Sequence, residues 1–303
     1  MELSLPQSFI TTITQTFGED GRCWLDQLPT QLHHVTAEYN LTLGEPYMLS
    51  YNYVTRAAQA DGTPVVLKLG VPREECQREI TALRLYNGQS VAKLLAADVD
   101  NGVLLLETVT PGTPIFDLAE QDDEQATRIA AEILTQLWRP LPPDHNLRPL
   151  SSWSHRLQRL RNHFNGGTGP FPADLVTRAE AMFTQDAQSS APPMLLHGDL
   201  HHWNILAAPQ NSWLAIDPKG LAGSPMYDLG PWLMNPTNHL MHYSDVQRRL
   251  QRRVAVFAEF FGKDRAEIIE WGIAHVMLSV WWTYEDGGDG WEWAFDYAHL
   301  LTN

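Results

Sequence analysis

The sequence predicts an α+β fold in which a small antiparallel sheet occupies the first third and helices dominate the rest. Two observations carry this. Short β-rich runs cluster early, at Leu41-Thr42-Leu43, Tyr53-Val54-Thr55-Arg56-Ala57 and Val65-Val66-Leu67-Lys68-Leu69, the last two joined by a turn at Asp61-Gly62. Further on, residues 117 to 139 and 173 to 188 have helical patterning, with Pro140-Leu141-Pro142-Pro143-Asp144 as a turn between them.

Taken in order, residues 1 to about 40 read as helix, with Phe9, Ile13 and Phe17 on one stripe and Leu25, Leu28, Leu32 and Val35 on another. Lys68 alternates with apolar neighbours in a strand that otherwise looks buried. A buried lysine needs an anionic partner to offset its desolvation, and a nucleotide phosphate is the obvious candidate. Arg73 to Leu85 then reads as a helix with Cys76, Ile80 and Leu83 turned inward, Gln77 being a further inward candidate. Val103-Leu104-Leu105-Leu106-Glu107 is a compact apolar strand, and Thr108-Val109-Thr110-Pro111-Gly112 after it is a connector.

The run His197-Gly198-Asp199-Leu200-His201-His202-Trp203-Asn204, followed by Leu214-Ala215-Ile216-Asp217, carries the chemistry. An Asp, an Asn five residues later and a second Asp after a hairpin are the groups a kinase-type site uses to take a hydroxyl proton and hold magnesium on ATP. In a loop, the Asp199 carboxylate can accept a proton from an acceptor hydroxyl, while Asn204 offers a neutral oxygen to a hard cation. Asn204-Ile205-Leu206 and Trp213-Leu214-Ala215-Ile216 read as strands joined by a polar turn, which would deliver Asp217 back beside Asn204. His197 and His201 also have the i, i+4 spacing of a metal pair, but Gly198 and Asp199 between them argue against the helix that zinc ligation would need.

That run, its continuation from Ile216-Asp217-Pro218-Lys219-Gly220 to Tyr227-Asp228-Leu229-Gly230, and Leu233-Met234-Asn235-Pro236 resemble the aminoglycoside 6-phosphotransferase and hydroxyurea phosphotransferase family of antibiotic-resistance kinases. The likeness extends to Cys23-Trp24-Leu25-Asp26-Gln27-Leu28-Pro29, to Leu41-Thr42-Leu43-Gly44-Glu45-Pro46 and to the lysine-bearing run Asp61 to Gly70. It implies a two-lobed protein-kinase-like fold, with a small antiparallel-sheet N-lobe over residues 1–107 and a mainly helical C-lobe over residues 108–303. The nucleotide, ATP or GTP, would lie between the lobes and the acceptor over the larger one.

By the same resemblance, Asp199 is the catalytic base, Asn204 and Asp217 hold Mg2+, and Lys68 pairs with a helix glutamate. Glu75 and Glu79 both lie within reach, and Glu79 matches the family's helix pattern. Backbone groups of Glu107 and Val109 would face the adenine edge at the hinge. Asp228 resembles the family carboxylate that opens a helix and braces the catalytic loop, and His197 would pack under that loop. A protein kinase would carry GxGxxG before Lys68, whereas this chain has Ser50-Tyr51-Asn52-Tyr53 there. Ser50 and Asn52 are the candidate phosphate donors, with turn stabilisation the other reading of Asn52. Lys219, where protein kinases carry Phe, either approaches a phosphate oxygen or pairs with a nearby acid.

Near the C-terminus, Trp271, Trp281, Trp282, Trp291 and Trp293 surround Glu285, Asp286, Asp289 and Glu292. Aromatic faces beside carboxylates suit an amine or guanidinium cation, as on a streptomycin-like acceptor, which makes Glu285, Asp286 and Asp289 candidate substrate-binding residues. The other reading makes Trp281 and Trp282 core residues of a helix from about Glu267, with the acids on a surface loop.

Composition bounds the partners. A formal charge of −15 argues against a nucleic-acid partner and permits a cationic small molecule. No apolar run is long enough to span a bilayer, and Met1-Glu2-Leu3-Ser4-Leu5-Pro6 lacks the pattern of a secretory signal, so a cytoplasmic location without membrane contact is expected. Only Cys23 and Cys76 are present, neither in a ligand cluster, which fits two free thiols. The sequence thus points to an ATP- and magnesium-dependent transfer to a hydroxyl of a small cationic antibiotic. A kinase for hydroxyurea or a metabolite is the alternative acceptor reading, and a nucleotide-binding pseudokinase the alternative class.

Overall fold

A computed structural model of the chain describes residues 3–302. It divides into two compact units, one comprising Met1–Gly88 and Ala92–Val109, the other Gln89–Val91 and Thr110–Asn303.

The first unit begins with α1 (Gln7–Glu38), which is broken at Gly18, where φ is +59°. The strands β1 (Thr42–Pro46), β2 (Tyr53–Ala58) and β3 (Pro64–Leu69) follow, then α2 (Glu74–Tyr86), β4 (Leu94–Asp98) and β5 (Val103–Glu107). They form one five-stranded sheet in the order β1-β2-β3-β5-β4, with every pairing antiparallel. Phe9, Ile13, Trp24, Leu28, Leu32 and Val35 of α1 share a core with Tyr53, Val65, Leu67, Leu69, Val103 and Leu105 of the sheet. Trp24 joins the second α1 stripe beside Leu28, Leu32 and Val35, while Leu25 and Phe17 are partly buried against the same core. In α2, Cys76, Ile80 and Leu83 are buried as expected, while Gln77 is exposed.

The second unit is mainly helical. The expected helix over 117 to 139 is split into α3 (Phe116–Gln121) and α4 (Asp123–Leu137). Asp122 causes the split: its extended backbone ends one helix and its carboxylate accepts the Gln125 N–H at 2.9 Å as the cap of the next. The chain continues through β6 (Arg139–Pro140), β7 (Arg148–Pro149), α5 (Ser154–His163), α6 (Ala173–Gln188) and β8 (Met194–Leu196). Next come β9 (Ile205–Ala207), β10 (Trp213–Ala215) and β11 (Leu221–Gly223), and then α7 (Leu229–Met234), α8 (Thr237–Leu240), α9 (Val246–Phe261), α10 (Arg265–Glu285) and α11 (Trp293–Thr302). A four-stranded sheet in the order β6-β8-β11-β7 and the β9–β10 hairpin flank the loop after β8. Residues 89–91 join this unit because the Ala215 N–H bonds the Ser90 carbonyl and Val91 bridges Ala215.

Candidate active site

The loop after β8 begins at His197 and ends at Asn204, where β9 starts. Its shape is fixed by one buried carboxylate. Asp228 accepts the His197 N–H at 2.9 Å, the Gly198 N–H at 2.7 Å and the Trp138 indole N–H at 3.0 Å. Asp228 sits at the start of α7 but makes no side-chain cap there, so its carboxylate braces the loop rather than the helix. Burial raises its pKa to about 6 despite these three donors. Gly198 is required by the same turn, with φ at +83° and a Cβ there coming within 2.8 Å of Leu221 Cδ1.

His197 is fully buried, its Nε2 bonded to the Ile216 carbonyl at 2.9 Å and its Nδ1 accepting the Asp199 N–H at 3.2 Å. Burial lowers its pKa to about 4, so the ring is neutral and ties the loop to the strand that leads to Asp217. His202 is buried on the other side, stacked on Trp232 at 3.9 Å, its Nε2 accepting from the Arg253 guanidinium at 3.2 Å. Arg253, itself 1% exposed, is neutralised by Asp123 and bonds the Trp232 and Asn235 carbonyls. An uncompensated guanidinium there would be costly, so the network stands or falls together.

Asp199 remains partly open, its side chain 29% exposed. Lys219 Nζ lies 3.2 Å from its Oδ2 and His201 Nε2 3.8 Å from its Oδ1. Burial pushes the carboxyl pKa up, but Lys219, assisted by the nearby histidines, outweighs that and leaves it below the ordinary carboxylate range. The group is an ionised acceptor with a cation at its side. Asn204 donates its amide nitrogen to the Asp199 carbonyl at 2.9 Å and approaches His201 Nε2 at 3.3 Å, so Oδ1 is the atom it could offer to a cation. The hairpin pairs Ala207 with Trp213 and Ile205 with Ala215, and the Ile216 N–H bonds the Asn204 carbonyl at 3.0 Å. Asp217 follows directly with φ at +60°, an unfavourable conformation for a residue before proline that a functional site can maintain.

In the first unit, Lys68 is 3% exposed on β3 and its Nζ lies 2.7 Å from Glu79 Oε1 on α2. Glu75 is exposed and faces Arg78 at 3.7 Å. Ser50 is exposed in the β1–β2 connection, while Asn52 packs over Gly70, where a Cβ would come within 2.5 Å of its Oδ1. The Glu107 carboxylate accepts the Lys93 N–H at 2.7 Å and its own N–H bonds the Lys93 carbonyl, so its side chain fastens β5 to the start of β4, and Val109 is half-buried.

The C-terminal tryptophans divide. Trp271 and Trp281 are core residues of α10, and Trp282 packs edge-on against Trp153 at 5.1 Å. Glu285 is bonded by Arg159 and lies 3.5 Å from Arg156, so its charge is already matched by α5. Asp286 ends α10, and Asp289 is exposed in the connection to α11. The acid that Lys219 pairs with, left unnamed by the sequence, is Asp199, whereas sequence reasoning missed His201 as a neighbour of Asp199 and Trp138 as a donor to Asp228. Trp138 gave no local signal, being 90 residues away from Asp228. Among the described residues no group of three or more His, Cys, Asp or Glu converges as a metal cluster, and no helix is long and apolar enough to cross a membrane.

A sheet unit bearing a buried Lys–Glu pair and a helical unit bearing this loop define a kinase of small molecules. The chain belongs to the aminoglycoside/hydroxyurea antibiotic resistance kinase family, whose pattern it matches over residues 45–287. It is 31% identical over 294 residues to streptomycin 6-kinase of Streptomyces glaucescens, covering 94% of this chain and 92% of that one. It is also 31% identical over 293 residues to hydroxyurea phosphotransferase of Kitasatospora aureofaciens, covering 94% of this chain and 82% of that one. Choline kinase LicA from Streptococcus pneumoniae shares the fold, with a TM-score of 0.61 at 16% identity over 91% of this chain and 98% of that chain.

Proposed function

We propose that this protein transfers the γ-phosphoryl group of ATP to a hydroxyl of a streptomycin-like aminoglycoside in the cytoplasm. The observation that carries the reading is the Asp199 loop: an ionised, partly open carboxylate beside Lys219 on a loop braced by the buried Asp228, with Asn204 and Asp217 arrayed by one hairpin. Asp199 orients the acceptor hydroxyl and takes its proton as the bond to phosphorus forms. Asn204 Oδ1 and the Asp217 carboxylate are the pair that would hold magnesium, a hard ion that needs only one or two protein oxygens beside phosphate and water. Magnesium, when bound, neutralises charge on the phosphate oxygens.

Lys68 offers its ammonium to the nucleotide phosphates, and Glu79 keeps it extended and charged. Ser50 and Asn52 border the phosphates, with Ser50 better placed because Asn52 is folded onto Gly70. The Glu107 carbonyl and Val109 N–H meet the adenine edge. Asp286 and Asp289 attract a cationic acceptor, and Glu285 contributes less because two arginines already hold it.

Similarity to streptomycin 6-kinase favours an aminoglycoside acceptor, and equal identity to hydroxyurea phosphotransferase supports hydroxyurea as the second reading. A coupled ADP-release assay with ATP or GTP, with and without magnesium, against streptomycin, hydroxyurea and simple amino sugars separates them. Magnesium-dependent turnover of streptomycin is expected. Turnover of hydroxyurea alone selects the second reading, and nucleotide binding without any turnover makes the protein a pseudokinase.

A further inference from the structure

The C-terminal tryptophans are largely packed away, but one tryptophan on the catalytic loop is not. Trp203, between Asp199 and Asn204, is 42% exposed, whereas the residues around it in the loop are buried or partly buried. Phe116 stacks against one face of its indole, with ring centroids 4.2 Å apart and planes 22° from parallel. His239 packs on Phe116 at 5.2 Å. Trp203 is therefore an outer ring of an aromatic stack, supported from beneath.

The stack is rigid. The Trp203 N–H bonds His201 Nδ1 at 3.2 Å, and the Phe116 N–H bonds the His202 carbonyl at 3.3 Å. The segment leading to Phe116 is laced along β9: the Gly112 N–H bonds the Ala207 carbonyl, the Ala207 N–H the Thr113 carbonyl, and the Ile115 N–H the Ile205 carbonyl. Leaving a large apolar ring in water on the loop that holds the base forgoes its burial, and the packing beneath fixes it in place.

Four peptide units separate Asp199 from Trp203, so their Cα atoms are at most about 14 Å apart. The turn closed by the Asn204 N–H on the His201 carbonyl shortens that span. A multi-ring acceptor with one hydroxyl at Asp199 has further rings within this reach, whereas hydroxyurea is too small to touch both places. Saccharide and cyclitol rings present C–H faces to an indole, and their amino or guanidino groups add cation–π attraction. The helix that starts at Phe116 also carries the exposed carboxylates Asp117 and Glu120, which suits a cationic ligand.

We infer that the open face of Trp203 is a subsite for a second ring of a multi-ring aminoglycoside acceptor, and that it separates such acceptors from hydroxyurea. The inference rests on the proposed function and adds the residue that reads acceptor size.

The test measures kcat and KM for streptomycin and for hydroxyurea on the full chain, with Trp203→Ala and Trp203→Phe, together with ADP affinity and the thermal midpoint of each variant. Trp203→Ala should raise the streptomycin KM about tenfold, with kcat falling much less, and Trp203→Phe should recover most of the loss. The ratio of streptomycin to hydroxyurea kcat/KM should fall by a similar factor, with ADP affinity holding. An unchanged streptomycin KM in Trp203→Ala overturns the subsite while leaving the proposed function standing. So does a loss that tracks weakened ADP binding or a lowered thermal midpoint, because the ring would then be structural. A wild type that phosphorylates no multi-ring acceptor removes the underlying reading, and the subsite with it.

Discussion

Lys219 Nζ lies 3.2 Å from Asp199 Oδ2, which puts a half-exposed cation against the carboxylate proposed as base. At that exposure the pair adds little stability, and its effect is local: it steers the carboxylate and offsets its repulsion of an incoming phosphoryl group. Asp199→Asn should lower kcat by about 10² to 10⁴ while nucleotide binding survives. Lys219→Met should lower kcat by about tenfold, and the double variant should lose less than the product of the two, as expected for a lysine acting through Asp199. Steady-state kinetics of the four proteins read this directly, and fully multiplicative losses would detach Lys219 from the base.

Asp217 supplies an anionic oxygen to the proposed magnesium pair and Asn204 a neutral one. Asp217→Ala should therefore be the more damaging, with both variants needing more magnesium for half-maximal rate. Titrating magnesium at fixed ATP checks the order. Activation curves identical to wild type would place the metal elsewhere.

Among the C-terminal acids, Asp286→Asn with Asp289→Asn should raise the KM for a cationic acceptor and leave that for ATP nearly unchanged. Glu285→Gln should chiefly loosen the contact of α10 with Arg156 and Arg159. Raising salt should reproduce part of the KM change, because screening acts over about 8 to 10 Å at moderate ionic strength. A double amide with unaltered KM and salt response would return these acids to the solvated surface.

His275 gives the fold an acid-sensitive point. Its Nδ1 meets the Tyr227 hydroxyl at 2.8 Å, and burial, partly opposed by the charge of Asp199, lowers its pKa to about 4. The unfolded chain takes up a proton near pH 6.5 and the folded one only near 4, so His275 favours folding above 6.5 and that advantage disappears as pH falls between those values. His275→Gln keeps an acceptor for Tyr227 without the titration. Between pH 7 and pH 4.5 it should lose about 1 to 3 kcal/mol less stability than wild type, measured by urea unfolding.

What was legible in the sequence was what is local. The spacing from Asp199 to Asn204 to Asp217 is set by one loop and one hairpin, and the β2–β3 pairing by a turn at Asp61-Gly62, so both could be read from neighbours along the chain. The helix α9 was equally readable from Leu250, Val254 and Phe257 at i, i+4 and i+7 but was not drawn, and the split at Asp122 carried a capping signal that the apolar pattern masked. The hydrogen bond from Trp138 to Asp228 and the Arg253–His202 contact had no local trace. They join segments 90 and 51 residues apart, and only tertiary packing decides which of many polar side chains meet. The C-terminal tryptophans drew attention by number, whereas exposure, which sequence does not report, singles out Trp203.

Because Asp228 gathers donors from residues 138, 197 and 198 onto one buried carboxylate, the Asp199 loop has no fold of its own to fall back on. A chain in which α4 has frayed, or in which α7 has not yet docked, keeps every residue of the motif and none of its alignment. Heat or denaturant should therefore silence the second unit abruptly, as a switch thrown by the whole unit, with no lingering fraction of partly active molecules.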